Sequence, residues 1–356
     1  MATLTETAYY ARRIVNWSIV GFIGLIVLRI ALGLTLDAIG RAFPPPSLKP
    51  NYAFGKLPAQ TFPASASASG ELTLTLQTIS GSLPIASDAA RVFFMPKSKP
   101  NFLSLSKSQT LVGRIGFTDT PRQIGETTYR WIDTRYPLRS VEVDIVTNHF
   151  KIRYAYEFDL ALFAERQIPS ESEAIQETSN FLQTLALNIP DLDKSKTAVR
   201  YLKLIGNTLV PTTSQSQADA VTIDYFRRAY FEMKVLADKP EESLISITLG
   251  GSKRSEKRIL SATYNYWPID TQTVGVYALK TSRAAWEELT LGNAYFAKLP
   301  SAKTQIAITN IYLAYYDSAN PQLFMQPIYV FEGDPQFAAY VPAITTEWTE
   351  VSQGEN

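Results

Sequence analysis

Cysteine is absent from the chain and histidine occurs once, as His149. The first absence excludes disulfides, thiolate zinc sites, iron–sulfur clusters and cysteine nucleophiles, and the second excludes multi-histidine metal sites. Charge is scarce, at 19% of 356 residues, and 34 Lys+Arg against 33 Asp+Glu leave a net charge of +1 with no long run of either sign. A nucleic-acid-binding chain normally shows a basic patch or stripe, so nucleic acid is not expected as a partner. No G-x-S-x-G elbow, P-loop or G-x-G-x-x-G follows a strand pattern, which leaves acyl-transfer and nucleotide chemistry without a foothold. What remains is apolar and aromatic: 46% hydrophobic residues, with 19 Tyr and 18 Phe. That composition excludes general disorder, and the length suggests two or three units of ordinary size.

Near the start, Ile14 to Leu36 reads IVNWSIVGFIGLIVLRIALGLTL, 23 residues with one charge. As a helix it would cover roughly 30 Å, the thickness of a hydrocarbon core. Arg12 and Arg13, behind Tyr9 and Tyr10, precede it, and Asp37 and Arg41 follow. The positive-inside rule then predicts a single-pass cell-membrane protein with residues 1–13 as a cytoplasmic tail and the bulk of the chain extracytoplasmic, the bilayer being its first partner. The run is long for a signal peptide and leads into a poor cleavage site, which favours a retained anchor. Arg29 is the costly residue in this span. It either snorkels to the outer interface or pairs with a polar group on another protein's membrane helix.

Residues 37–70 hold Pro44-Pro45-Pro46 and an Ala/Ser tract from Pro63 to Gly70, and read as a spacer. From residue 71 period-two patterning dominates. Val141, Val143 and Ile145 alternate with Glu142 and Asp144, and Phe150, Ile152, Tyr154, Tyr156 and Phe158 continue the alternation. A two-residue turn at Thr147-Asn148 would pair Ile145 with Phe150 and set Glu142 opposite Arg153, with His149 solvated at the turn. Between Ile306 and Tyr315 the apolar phase changes, and a bulge near Asn310 would realign it. Residues 326–332 (QPIYVFE) are apolar on both faces, as in a central strand. Ser170 with Glu173 forms a capping box before a helical stripe from Ala174 to Leu185. Further helices are expected from about Ser104 to Ile115 and from Thr281 to Gly292. Each helix is followed by strands. This order suggests an α+β fold, antiparallel sheets with helices on one face, in units 71–165, 166–280 and 281–343 before a C-terminal tail, 344–356.

Two carboxylates would suffice for a glycosidase, but adjacent Glu287-Glu288 and Glu241-Glu242 read as solvated faces. Asp191 and Asp193 lack the glycine and closing glutamate of a calcium loop. No cofactor, metal or catalytic residue is indicated. Tyr312, Tyr315 and Tyr316, with Tyr329 and Phe331, would either form an aromatic recognition surface or pack as sheet core.

Residues 285–289 (AWEEL), Gly292, 311–317 (IYLAYYD) and 326–333 (QPIYVFEG) resemble the end of YycI-type proteins. The whole chain also resembles uncharacterised single-pass envelope proteins of candidate-phyla bacteria. The YycH/YycI resemblance implies PepSY-like α+β units, membrane anchoring and a regulatory, non-enzymatic role toward a sensor kinase. The expectation is therefore a protein that binds or modulates a membrane or envelope protein. A surface binding module for a peptide or glycan is the alternative, and a glycosidase-like enzyme the next.

Overall fold

The computed structural model describes Trp17, Phe22, Leu25, Arg29 and residues 48–64, 72–187, 189–300 and 305–350. The chain divides into two compact units, Met1–Leu48 and Lys49–Asn356. In the first, Trp17, Phe22, Leu25 and Arg29 are helical and exposed. Among the described residues no helix is long and apolar enough to cross a membrane. The transmembrane helix expected over 14–36, and with it the single-pass, cell-membrane assignment, is therefore not supported. Apolar content sets how well a run partitions, whereas spanning needs about 20 continuous helical residues, and only four positions of this run are described. The rest of it, and the tail 1–13, lie outside the described residues.

Strands dominate the second unit. In chain order they are β1 (Thr73–Leu76), β2 (Ala89–Phe94), β3 (Arg122–Gln123), β4 (Thr128–Ile132), β5 (Arg139–Asp144), β6 (Phe150–Tyr154), β7 (Leu192–Ile205), β8 (Thr208–Thr212) and β9 (Ala220–Arg227). There follow β10 (Lys234–Leu236), β11 (Ile245–Gly250), β12 (Ile259–Tyr264), β13 (Asp270–Ala278), β14 (Tyr295–Lys298), β15 (Gln305–Tyr316), β16 (Phe324–Met325), β17 (Pro327–Asp334) and β18 (Phe337–Pro342). The described α-helices are α1 (Ser104–Gly113), α2 (Glu171–Thr184), α3 (Ser255–Arg258, a single turn) and α4 (Ser282–Thr290).

A nine-stranded antiparallel sheet runs β3-β4-β5-β6-β12-β11-β9-β7-β8. A six-stranded sheet runs β1-β15-β17-β18-β14, with β10 also on β15, and β13-β2-β16 form a third. The α+β expectation is therefore corrected to a mostly β architecture. The three long helices form where expected; most strands of the nine-stranded sheet pair with near neighbours in sequence, while some pairings cross long separations. Thus β6 joins β12 through Phe150↔Tyr264 and Ile152↔Ala262, and β1 pairs with β15 in parallel, Leu74↔Ile306.

Local chemistry explains the elements. The capping box at α2 is formed: the Ser170 N–H and hydroxyl both donate to Glu173 Oε2, at 2.8 and 2.7 Å. Helix α4 starts at Thr281, whose hydroxyl accepts from the Ala284 N–H at 3.2 Å, and Gly292 follows its end at φ 81°. Val112 of α1 and Ala174 and Leu182 of α2 bury one face of the nine-stranded sheet, against Val141, Val143, Ile152, Ile223 and Leu249. Ala285 and Leu289 of α4 pack instead with Phe331, Ala339 and Val341 of the six-stranded sheet.

The β5–β6 hairpin is present, but its register is two residues from the expected one: Val143 faces Phe150 and Glu142 faces Lys151. A two-residue shift keeps each side chain on its face. The cause is Asp144, whose Oδ1 accepts from the N–H groups of Val146 and Thr147, at 3.0 and 2.8 Å, and builds a wider turn. The bulge in β15 does fall between Ile308 and Asn310, and β17 is buried from Pro327 to Phe331 as a central strand. At the β11–β12 turn, a Cβ on Gly251 would stand 2.0 Å from the Glu165 carbonyl, so only glycine lets the two backbones meet.

Residues 48–64, read as part of a spacer, carry core side chains. Leu57 is fully buried, Tyr52 stacks on Trp348 at 3.6 Å, and Phe62 stacks on Tyr295 at 5.1 Å. Residues 344–350, read as tail, close the same contact: Leu57 N–H donates to the Trp348 carbonyl at 2.8 Å and Glu350 N–H to Leu57 at 2.7 Å. The apolar residues here have no periodicity, so proline and small residues dominate the pattern and hide them. Leu57→Ala is expected to lower stability by about 2–5 kcal/mol, measured by urea unfolding. An unchanged midpoint would restore the spacer reading.

Candidate functional site

The residues singled out in sequence do not converge. Tyr315 and Tyr316 are buried at 1% and 0% exposure, and Tyr312 is half-buried. Their hydroxyls donate to the Arg91 carbonyl (3.0 Å), Asp238 Oδ1 (2.5 Å) and Glu332 Oε1 (2.6 Å) respectively. Burial first, then these carboxylates, pushes Tyr312 and Tyr316 well above the ordinary phenol range. Tyr315 and Tyr316 are therefore sheet core, and the half-buried Tyr312 does not join them in one exposed aromatic surface. Glu288 pairs with Lys280 at 2.7 Å, Glu242 with Lys239 at 3.0 Å, and Glu241 with Lys298. His149 is packed rather than solvated: its ring meets Trp267 edge-on at 4.2 Å and Nε2 lies 2.9 Å from the Tyr266 carbonyl. Burial lowers its pKa, with that carbonyl and Asp144 opposing.

A site that sequence reasoning missed lies on the helix-bearing face of the nine-stranded sheet. A cleft of about 450 Å³ opens between the end of α1, one face of α2, the β11–β12 turn and the loop between β4 and β5. Ile115, Phe181, Leu249 and Ile259 supply apolar lining, and Arg114, Arg135, Arg139 and Arg258 supply guanidinium groups.

Three of these arginines build the walls. Arg258 clasps Glu177 of α2 with two bonds of 2.8 Å and donates to the Gly250 and Gln167 carbonyls at 2.8 and 2.9 Å. This ties helix to turn by a bidentate pair. Arg139 lies 4.2 Å over the Phe117 ring and donates to Asp133 Oδ2 at 3.3 Å and to the Ile115 carbonyl at 2.6 Å. Burial lowers its pKa, and the Asp133 carboxylate opposes the shift. Arg114 donates to the Leu185 carbonyl at 2.7 Å, satisfying the end of α2. The exposed Arg135 is different: its backbone N–H binds Asp133 Oδ1 at 3.0 Å, and its guanidinium has no partner among the described residues.

Two of the three cleft carboxylates, Asp133 and Glu177, are thus held by arginines, leaving Glu256 and Arg135 as the uncommitted charges. The arrangement can bind a ligand with apolar and charged groups in alternation. Among the described residues no group of three or more His, Asp or Glu is placed to hold a metal ion.

No protein-family model matches the chain, and no curated protein matches it. Among solved structures it is similar to an uncharacterized protein from Eubacterium rectale ATCC 33656, at 14% identity and a TM-score of 0.41, covering 75% of this chain and 87% of that one. It is also similar to the Bacillus megaterium YpeB C-terminal domain, at 9% identity and a TM-score of 0.31, covering 70% of this chain and 95% of that one. Likenesses this shallow define neither fold family nor activity, and no sequence match accompanies the YycH/YycI resemblance.

Arg258→Ala is expected to cost about 1–3 kcal/mol, the range for losing hydrogen bonds to a charged group and stranding their partners. Chemical unfolding measures it, and Arg258→Lys should recover only part, since a single ammonium cannot reproduce the fork.

Proposed function

We propose that the protein is a non-enzymatic binding protein, of the regulatory kind the YycH/YycI resemblance implies, and that it holds a peptide segment of a protein partner in the arginine-lined cleft. One observation carries this reading: an uncommitted guanidinium, Arg135, beside an apolar lining whose walls are fixed by Arg139 and Arg258. Pre-set walls reduce what a ligand must order on binding. A planar guanidinium favours carboxylates, which it can meet with two hydrogen bonds. The favoured segment therefore carries an acidic residue flanked by Leu-, Ile- or Phe-like side chains, with Glu256 accepting from a ligand N–H. A peptide is favoured over a glycan because, of the aromatic groups nominated for a sugar platform, Tyr315 and Tyr316 are buried in the core and the hydroxyl of Tyr312 is held by Glu332.

The test is fluorescence anisotropy with the full chain and matched acidic–apolar and basic–apolar decapeptides. Acidic peptides should bind, and Arg135→Glu should weaken them by roughly tenfold or more, the loss expected for a charge-assisted pair turned repulsive. Added salt should act in the same direction. Equal binding of both peptide sets, or an Arg135→Glu protein that binds unchanged, would refute the cleft as the site.

A further inference from the structure

Away from the cleft, two carboxylates share one guanidinium in the interior. Arg227, the last residue of β9, binds Asp191 Oδ2 at 2.9 Å and Asp317 Oδ2 at 2.8 Å, and also donates to the Trp267 carbonyl. Asp191 also accepts from the Tyr230 hydroxyl at 2.8 Å. Asp191 and Asp317 are 3% and 5% exposed. The other oxygen of each, Asp191 Oδ1 and Asp317 Oδ1, is buried without a hydrogen-bond partner. Beside Asp317 lies a cavity of about 20 Å³, lined also by Arg227, Ser243, Asn265 and Tyr266, which is room for one water molecule.

The cluster joins sheets. Asp191 leads into β7, Arg227 ends β9 and Trp267 follows β12, all of the nine-stranded sheet, whereas Asp317 follows β15 of the six-stranded one. The Asp317 N–H donates to the Leu236 carbonyl at 2.8 Å, the last bond between β15 and β10.

We propose that Asp191, Arg227 and Asp317 form a proton-operated latch between the two sheets. With one proton on the carboxylate pair the cluster is neutral and closed. Without it, an uncompensated negative charge is buried and the β10–β15 end of the junction loosens. An unpaired buried charge is among the costliest features a fold can hold. Burial pushes the Asp317 carboxyl up to about 6, with Arg227 opposing and the Asp191 charge reinforcing. The other titratable groups near the cluster are Tyr230, Tyr264, Tyr266 and Asp238, with Glu242 lining the same cavity and paired to Lys239. Arg228 lies over Tyr230, and His149 packs on Trp267. The tyrosines are all raised and stay neutral in this range.

The sign follows from proton binding. Asp317 binds its proton more tightly folded than unfolded, so the stability it contributes is present in acid and is lost as pH rises from about 4 through about 6. His149, with a lowered pKa, acts oppositely, losing stability as pH falls below 6.5. The difference between wild type and Asp317→Asn removes the histidine's part.

The experiment is urea unfolding of both full chains at about pH 4, 5, 6 and 7, with hydrogen exchange at the Asp317 amide corrected for intrinsic rate. Relative to Asp317→Asn, the wild-type unfolding constant should rise between 10- and roughly 100-fold from acid to neutral, each pKa unit being tenfold. The Asp317 amide should lose protection over the same interval. Parallel wild-type and variant profiles would overturn the latch. Should the variant fail to fold, the Asp317 carboxyl ¹³C shift of the wild type decides: a midpoint near 6 supports the latch, and one near the ordinary carboxylate range overturns it.

Discussion

Arg227 is the interaction on which the joining of the two large sheets depends. Its guanidinium meets Asp191 ahead of β7, the Trp267 carbonyl beyond β12 and Asp317 beyond β15, so one side chain reaches three separate stretches of chain. The Tyr266 ring lies 4.5 Å from it and Tyr230 closes on Asp191. Such a cluster is costly to assemble and costlier to break, because losing one member strands the others in low dielectric. The crossing from β9 to β10 passes directly beside it, so the chain changes sheets where the charge holds it.

Tyrosine performs a related task throughout the second unit. Tyr277 donates to the Gly55 carbonyl, Tyr315 to Arg91, Tyr329 to Lys280 and Tyr340 to Ala237. Each ring fills sheet core while its hydroxyl satisfies a backbone carbonyl on a distant segment. A phenol suits this because one residue supplies both apolar area and a polar handle. The abundance of tyrosine thus answers a structural need: three unequal sheets must be fastened without cysteine. It also accounts for the absence of an exposed Tyr312–Tyr315–Tyr316 platform, since those hydroxyls are already spent.

The cleft follows from how the helices lie on the nine-stranded sheet. Helices α1 and α2 cover the strands of the first and second halves, and the space between them is walled by arginines that satisfy helix ends and turns. Arg114 serves the end of α2, Arg258 binds the middle of α2 to the β11–β12 turn, and Arg139 anchors the residue beyond α1. The result is an opening whose remaining charges are Arg135, exposed and without a partner among the described residues, and the half-buried Glu256, whose charge acts on Arg139.

Local pattern alone determined the capping box at Ser170, the helix ending at Gly292, the β5–β6 hairpin, the bulge before Asn310 and the burial of β17. Each depends on neighbours within a few residues or on the period of one strand. What pairs with what was decided only by tertiary structure. The β1–β15 pairing joins residues more than two hundred positions apart, and neither strand's period names its partner. The hairpin register turned on Asp144, whose side chain could cap a turn or face a lysine with equal propriety in sequence. Leu57 and Phe62 were hidden by surrounding proline and small residues, because aperiodic segments enter a core through single contacts. The membrane reading rested on hydropathy, which measures how a run partitions; a span needs about 20 continuous helical residues, and all but four of this run lie outside the described ones. The cleft was invisible for the same reason as the pairings: its four arginines are scattered from Arg114 to Arg258, and only the folded sheet brings them to one wall.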